Sequence, residues 1–210
     1  FMVNAVPSEG ITVPVIVDLQ AKLMKDLLKD SRDIGSIRRR VVNIDGSVYV
    51  PSNIPMLLEE KLASVVDKSR QIRNPVEAAF FLWVNLAYLQ PFADGNKRTS
   101  RLCANMPLML YNCAPLSFLD VERSDYTTAL LGVYEQRQVD AAVELFEFIY
   151  RRSFQKYSVL RASMAAPDPL RARYRQTLNE IMQWVVMHRQ PQQTALAAVQ
   201  VDPNDLPGLI

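Results

Sequence analysis

Between Ala78 and Leu89 the chain reads Ala-Ala-Phe-Phe-Leu-Trp-Val-Asn-Leu-Ala-Tyr-Leu, apolar on every face of a helix except at Asn85. A helix of that kind has no face to give to water, so it belongs at the centre of a bundle. Asn74-Pro75 supplies its start, with Asn at the N-cap and Pro at the first helical position. The next stretch is opposite in character. Gln90 to Arg101 reads Gln-Pro-Phe-Ala-Asp-Gly-Asn-Lys-Arg-Thr-Ser-Arg, in which Pro91, Asp94 and Gly95 break the apolar pattern and a new helix begins near Asn96. Lys97, Arg98 and Arg101 then crowd its N-terminal end, where each cation costs roughly 0.3–1 kcal/mol unless an anion neutralises it. Lys97 and Arg101, four residues apart, also repel each other. Free backbone N–H groups and these side chains together suit a phosphate; without one, the same residues read as a solvated basic turn.

Around this centre the sequence predicts an all-α chain, a helical bundle about two buried central helices with one β-hairpin. Residues 1–12, with Pro7 and Gly10, read as an irregular arm. An amphipathic helix follows over Pro14 to Leu28, with Ile16, Leu19, Leu23, Leu27 and Leu28 inward. Residues 29–40, including Arg38, Arg39 and Arg40, read as a solvated charged loop. Val41 to Ile44 and Val48 to Val50 are β-rich runs around Asp45-Gly46, a hairpin signal. A two-stranded ribbon is marginal alone and must lean on the helices, leaving an edge for a peptide strand. Ser52 or Asn53 is expected to cap a helix to about Arg70. The second central helix is expected over Asn96 to Cys113, kinked or interrupted by Pro107, followed by helices over Glu122 to Gln136 and Val139 to Tyr157. Ala165 to Pro169 marks a boundary, then a helix over 168–190 and a tail over 191–210.

Composition narrows the function class. The 210 residues are 49% hydrophobic with a formal net charge of +2. That balance suits a globular protein and excludes a strong general attraction to nucleic acid or membrane surfaces. Arg171, Arg173 and Arg175 are the one hint of a nucleic-acid face and read better as a solvated helix side. Cys103 and Cys113 sit on one helical segment about 15 Å apart, beyond disulfide reach; free thiols and the lack of a transmembrane or leader-like segment lead to a cytoplasmic expectation. A homodimer is a possible assembly. Phe1 ahead of the first Met points to a longer parent chain.

Gln90 to Arg101 resembles the signature of the Fic family, His-x-Phe-x-Asp-Gly-Asn-Gly-Arg-x-x-Arg, at ten of twelve positions with x counted as free. The resemblance covers roughly residues 13–160, with a flap at 39–51 ahead of the motif at 90–101. It implies that Phe92 anchors the loop, that Asp94 holds Mg²⁺, and that Gly95 and Asn96 form an anion nest. Lys97 lies in that nest, Arg98 would bind the middle phosphates, and Arg101 the terminal one. The implied co-substrate is ATP. The implied partner is a target protein held as an added strand at the flap, Val48, Tyr49 and Val50, with AMP passing to a Ser, Thr or Tyr hydroxyl.

Two positions depart from the family pattern. Gln90 stands where the motif histidine takes the proton, and an amide cannot do so at neutral pH; a positioned general base contributes about 10²–10⁴-fold. The only histidine, His188, lies far along the chain. Lys97 replaces Gly, as in the Doc branch, where the nucleotide can be reversed and the γ-phosphate transferred. Slowed AMP transfer, phosphate transfer, and a module that binds nucleotide or a partner without turnover all stay open. Family members often carry an inhibitory helix ending Glu-Gly or Glu-Asn; Glu9-Gly10 fits its end, whereas Ala5 and Pro7 do not fit, and such a helix is also conceivable ahead of residue 1.

Overall fold

Residues 1–28, 30–119 and 121–163 are described by the computed structural model of the chain. They form α1 (Met2–Glu9), α2 (Val13–Met24), α3 (Pro55–Gln71), α4 (Pro75–Leu89), α5 (Asn96–Cys103), α6 (Asn105–Leu110), α7 (Arg123–Leu131) and α8 (Asp140–Ser163). A short 3₁₀ turn covers Ser31–Asp33, and a π-helical turn, Gly132–Gln136, continues α7. One compact unit runs from Phe1 to Ser158. The expected boundary at 165–169, the helix over 168–190, the tail, His188 and the three arginines at 171, 173 and 175 lie outside the described residues.

Helix α4 is the axis of the bundle. Asn74 caps it, its side-chain oxygen accepting from Val76 N at 2.9 Å and Glu77 N at 3.4 Å. Its two sides feed two cores. Ala79, Trp83, Val84 and Ala87 join Ala104, Leu108 and residues of α7 and α8. Leu82 and Leu86 face α1, α2 and α3, together with Phe92, Cys103 and Met106. Inside the first core the Trp83 indole N–H finds a partner, donating to the Tyr126 hydroxyl at 3.2 Å.

The second central helix is interrupted, one of the two outcomes expected at Pro107. Pro107 cannot donate to the Cys103 carbonyl, and α5 accordingly ends at Cys103, with α6 restarting at Asn105. Asn105 braces the junction by exchanging two hydrogen bonds with the Leu116 backbone, at 3.0 and 2.8 Å.

Three expectations are corrected. The irregular arm is the helix α1: Ala5 and Val6 are buried against α2 and α6, and this burial outweighs the bond that Pro7 removes at the exposed Val3. The cap of α3 is Ile54, without a side-chain bond, ahead of Pro55 at the first helical position. The β-hairpin is absent: among the described residues there is no strand. The turn itself forms, with Ser47 N donating to Ile44 O at 3.0 Å. However, only Gly46 takes positive φ, at +79°, and Asp45 does not. That is a type II pattern, which splays the flanking arms instead of twisting them into register as a type I′ turn does.

Candidate functional site

Helix α4 ends because Gln90 adopts the left-handed conformation, φ +50° and ψ +57°, with its N–H on Leu86 O at 3.2 Å. Left-handed geometry at a helix C-terminus turns the chain sharply, here into Pro91. The loop is then closed from both sides. Phe92 is buried as its anchor, and the Asn96 amide bonds the Phe92 backbone reciprocally: Phe92 N donates to Asn96 Oδ1 at 2.9 Å and Asn96 Nδ2 donates to Phe92 O at 2.8 Å. Gln20, fully buried on α2, donates to Asp94 O at 3.2 Å and accepts from Gly35 N at 2.7 Å. Gly95, at φ +80°, is the N-cap of α5. No side chain caps this helix, so its first-turn amides meet no protein acceptor from the cap residue.

Gln90, Ala93, Asp94, Gly95, Asn96, Lys97 and Arg98 line a cavity of about 290 Å³ whose opposite wall is Val42, Asn43, Ile44 and Asp45. Asp94 is exposed; its Oδ1 accepts from Gly95 N at 2.5 Å and its Oδ2 lies 3.8 Å from Arg98 Nη2. One carboxylate oxygen is therefore only loosely engaged. Two carboxylates and two cations face the cavity, and the cations stand at the helix N-terminus, where phosphate oxygens are favoured.

The remaining predicted residues lie elsewhere. Arg101 does not line the cavity: its Nε donates to Lys97 O at 3.2 Å and its guanidinium covers the Tyr126 ring at 5.5 Å. In the expected flap segment, Val48 and Val50 are 85% and 63% exposed. Tyr49 turns inward between Tyr88 and Tyr134, with ring centroids 4.6 and 5.9 Å apart, and donates to Tyr88 O at 3.3 Å. Burial pushes the Tyr49 and Tyr134 phenols above their ordinary value. The cavity wall comes from the other arm, Val42 to Asp45. Glu135 holds the turn from outside, its Oε1 accepting from Ser47 Oγ at 2.8 Å and Val48 N at 3.0 Å.

Gln90 is buried and its amide Nε2 donates to Ala87 O. Glu9, considered as an inhibitory glutamate, instead lines a separate pocket with Arg70, Pro107, Leu110 and Tyr111.

Sequence reasoning missed four supports: Gln20, Met24, whose side chain lies against Gly95, Arg38 and Glu135. Gln20 had a signal, since it lies four residues after Ile16 on the apolar side of α2, where a polar residue needs a partner. Arg38, read as solvated, is 1% exposed. Its Nε donates to Gln90 O at 2.6 Å, its Nη1 to Arg40 O at 2.9 Å and its Nη2 to Ser52 O, and its backbone N–H donates to Pro91 O at 3.0 Å. Burial lowers the pKa of this guanidinium from its ordinary value.

The helical bundle thus presents a closed loop and an uncapped cationic helix start on a small cavity, an arrangement that favours an anion. Residues 10–108 match the model of the Fic/DOC family. Among curated relatives, the protein adenylyltransferase Fic of Nematostella vectensis is 31% identical over 123 residues, which is 57% of this chain and 28% of the relative. That of Aedes aegypti is 26% identical over 166 residues, 79% of this chain and 33% of the relative. The chain thus spans about a third or less of the relatives' length. Fic-1 (residues 134–508) from C. elegans has a similar fold, with a TM-score of 0.60 at 24% identity over 74% of this chain and 46% of that one. So does a Fic family protein from Desulfovibrio desulfuricans, with a TM-score of 0.61 at 18% identity over 80% and 53%. BepC from Bartonella tribocorum with bound AMPPNP gives 0.53 at 16% over 66% and 74%. Among the described residues no helix is long and apolar enough to cross a membrane.

Proposed function

We propose that this chain binds Mg-ATP in the cavity of the motif loop and transfers AMP to a hydroxyl side chain of a target protein, at a rate limited by Gln90. The observation that carries the reading is the uncapped start of α5, with Lys97 and Arg98 on the same cavity as the loosely held Asp94. The adenylyltransferase relatives and the AMPPNP-bound BepC structure support it. The α5 amides and Arg98 would bind the phosphates, and Asp94 would supply one hard oxygen to Mg²⁺. No cluster of three or more His, Cys, Asp or Glu is available for a metal among the described residues. The ion would therefore take its other ligands from phosphate and water, where it neutralises charge on the leaving group. The target segment would lie between Val42 to Asp45 and the loop, with the exposed Val48 and Val50 extending that surface. Transfer forms a bond between the hydroxyl oxygen and the α-phosphorus and breaks the bond to pyrophosphate. Gln90 can orient the hydroxyl but leaves its proton to solvent or to the leaving group.

A second reading has its own observation. The Gln90 amide is buried and already donates to Ala87 O, which suits a module that holds nucleotide without turning it over. Incubation of the chain and candidate targets with Mg²⁺ and ATP labelled at the α- or γ-phosphorus decides between them. Label from α-ATP supports AMP transfer, and label from γ-ATP alone supports the Doc-like alternative. Binding without label in the natural chain, with label after Gln90→His, supports the binding module.

A further inference from the structure

We propose that Arg38 is a positioning residue that couples the two walls of the cavity, so that nucleotide on the motif loop is felt at the Val42 to Asp45 segment through one guanidinium. The cavity has a rigid wall, the loop and α5, and a wall without a β ladder to hold it. The second wall enters at Arg40 and leaves at Ser52. Arg38 donates to the carbonyls of both feet, and with the third arm of its fork to Gln90 O, the residue from which the motif loop starts. Its backbone N–H takes Pro91 O. Every acceptor thus belongs to one of the two walls. No carboxylate pairs with this buried cation among the described residues, so carbonyl dipoles alone compensate its charge. A Lys keeps the charge but is a point donor on a flexible stem and cannot reproduce a planar fork.

The proposal rests on the Mg-ATP reading for its ligand, and the test separates the two. Hydrogen exchange would be followed in the full chain, wild type, Arg38→Gln and Arg38→Lys, with and without saturating Mg-ATP, beside calorimetric binding of Mg-ATP. In the wild type, nucleotide is expected to slow the amides of residues 96–98 and 43–45 together. In both variants 96–98 should still respond while the response of 43–45 disappears, and the hydrogen-bonded amides of Ser47 and Val48 should exchange about tenfold faster without nucleotide, with 82–86 of α4 unchanged. A wild-type response of 43–45 in both variants would overturn the coupling. A wild-type response in Arg38→Lys alone would also overturn it, assigning the effect to charge rather than to the fork. Failure of the wild type to bind Mg-ATP would remove the nucleotide reading and with it the coupling, whereas the exchange of Ser47 and Val48 in the ligand-free variants would still show whether Arg38 braces the wall. If Arg38→Gln does not fold, Arg38→Lys carries the comparison.

Discussion

The sulfur of Met24 occupies the place that a β-carbon on Gly95 would need. An ideal Cβ there would lie 2.6 Å from Met24 Sδ and 2.9 Å from its Cγ, and Met24 is fully buried at the end of α2. The motif loop therefore sits directly on α2, and the glycine serves as contact surface as well as turn residue.

Gly95→Ala combines this clash with an unfavourable φ of +80°. A loss of about 1–3 kcal/mol is expected in urea denaturation. Met24→Ala creates a cavity by itself, but in the double variant the two losses should sum to less than additive, because the smaller side chain makes room. Strict additivity would show that the contact is not the cause.

Gln90→His places a titratable ring at the head of the loop. Histidine tolerates left-handed φ better than most residues, so the helix end should survive. Transfer of label from α-ATP should rise by about 10²–10⁴-fold, with Mg-ATP affinity changed little. The rate should fall below the pKa of the new imidazole, because the protonated ring can no longer accept a proton. An unchanged rate would mean that proton removal does not limit the reaction.

Glu135→Ala removes the acceptor for Ser47 Oγ and Val48 N. The Val48 amide should then exchange faster, by a factor reflecting roughly 0.5–1.5 kcal/mol of local stability, while Tyr49 keeps its place between Tyr88 and Tyr134. If a target binds by strand addition at 48–50, its affinity should increase in this variant, since it no longer competes with the carboxylate for that N–H.

Cys103 is fully buried and burial raises its thiol pKa, so it stays protonated and unreactive in the folded chain. Cys113 is partly exposed. One equivalent of maleimide should react readily, at Cys113, with the second reacting only as the chain unfolds; mass mapping of the labelled peptide checks this.

The helices were legible where burial and capping agree. Asn74-Pro75 and the Ala78–Leu89 run specify α4 completely, and Pro107 specifies the break after Cys103. The motif was legible as a cavity wall because Gly95, Asn96 and the cations share one loop and one helix start. Long-range polar partners were not. Arg38 looks like its neighbours Arg39 and Arg40 in sequence, and only the three carbonyls brought around it by the fold make it an interior residue. The Asp45-Gly46 pair promised a hairpin because it favours type I′, yet its dihedrals came from what the arms pack against: Ile44 in the first core and Tyr49 in the tyrosine stack. Helix α1 was obscured by Pro7, whose local penalty is offset by tertiary burial of Ala5 and Val6.

The position of Arg101 over Tyr126 has an optical consequence. The phenol under that guanidinium also accepts from the Trp83 indole N–H, and the two rings lie 5.9 Å apart. Displacement of the cation alters both the charge near the indole and the polarity of its hydrogen-bonded phenol. In a Trp184→Phe background, the emission of Trp83 becomes an internal gauge of whether Arg101 stays on the tyrosine or leaves it when nucleotide is added.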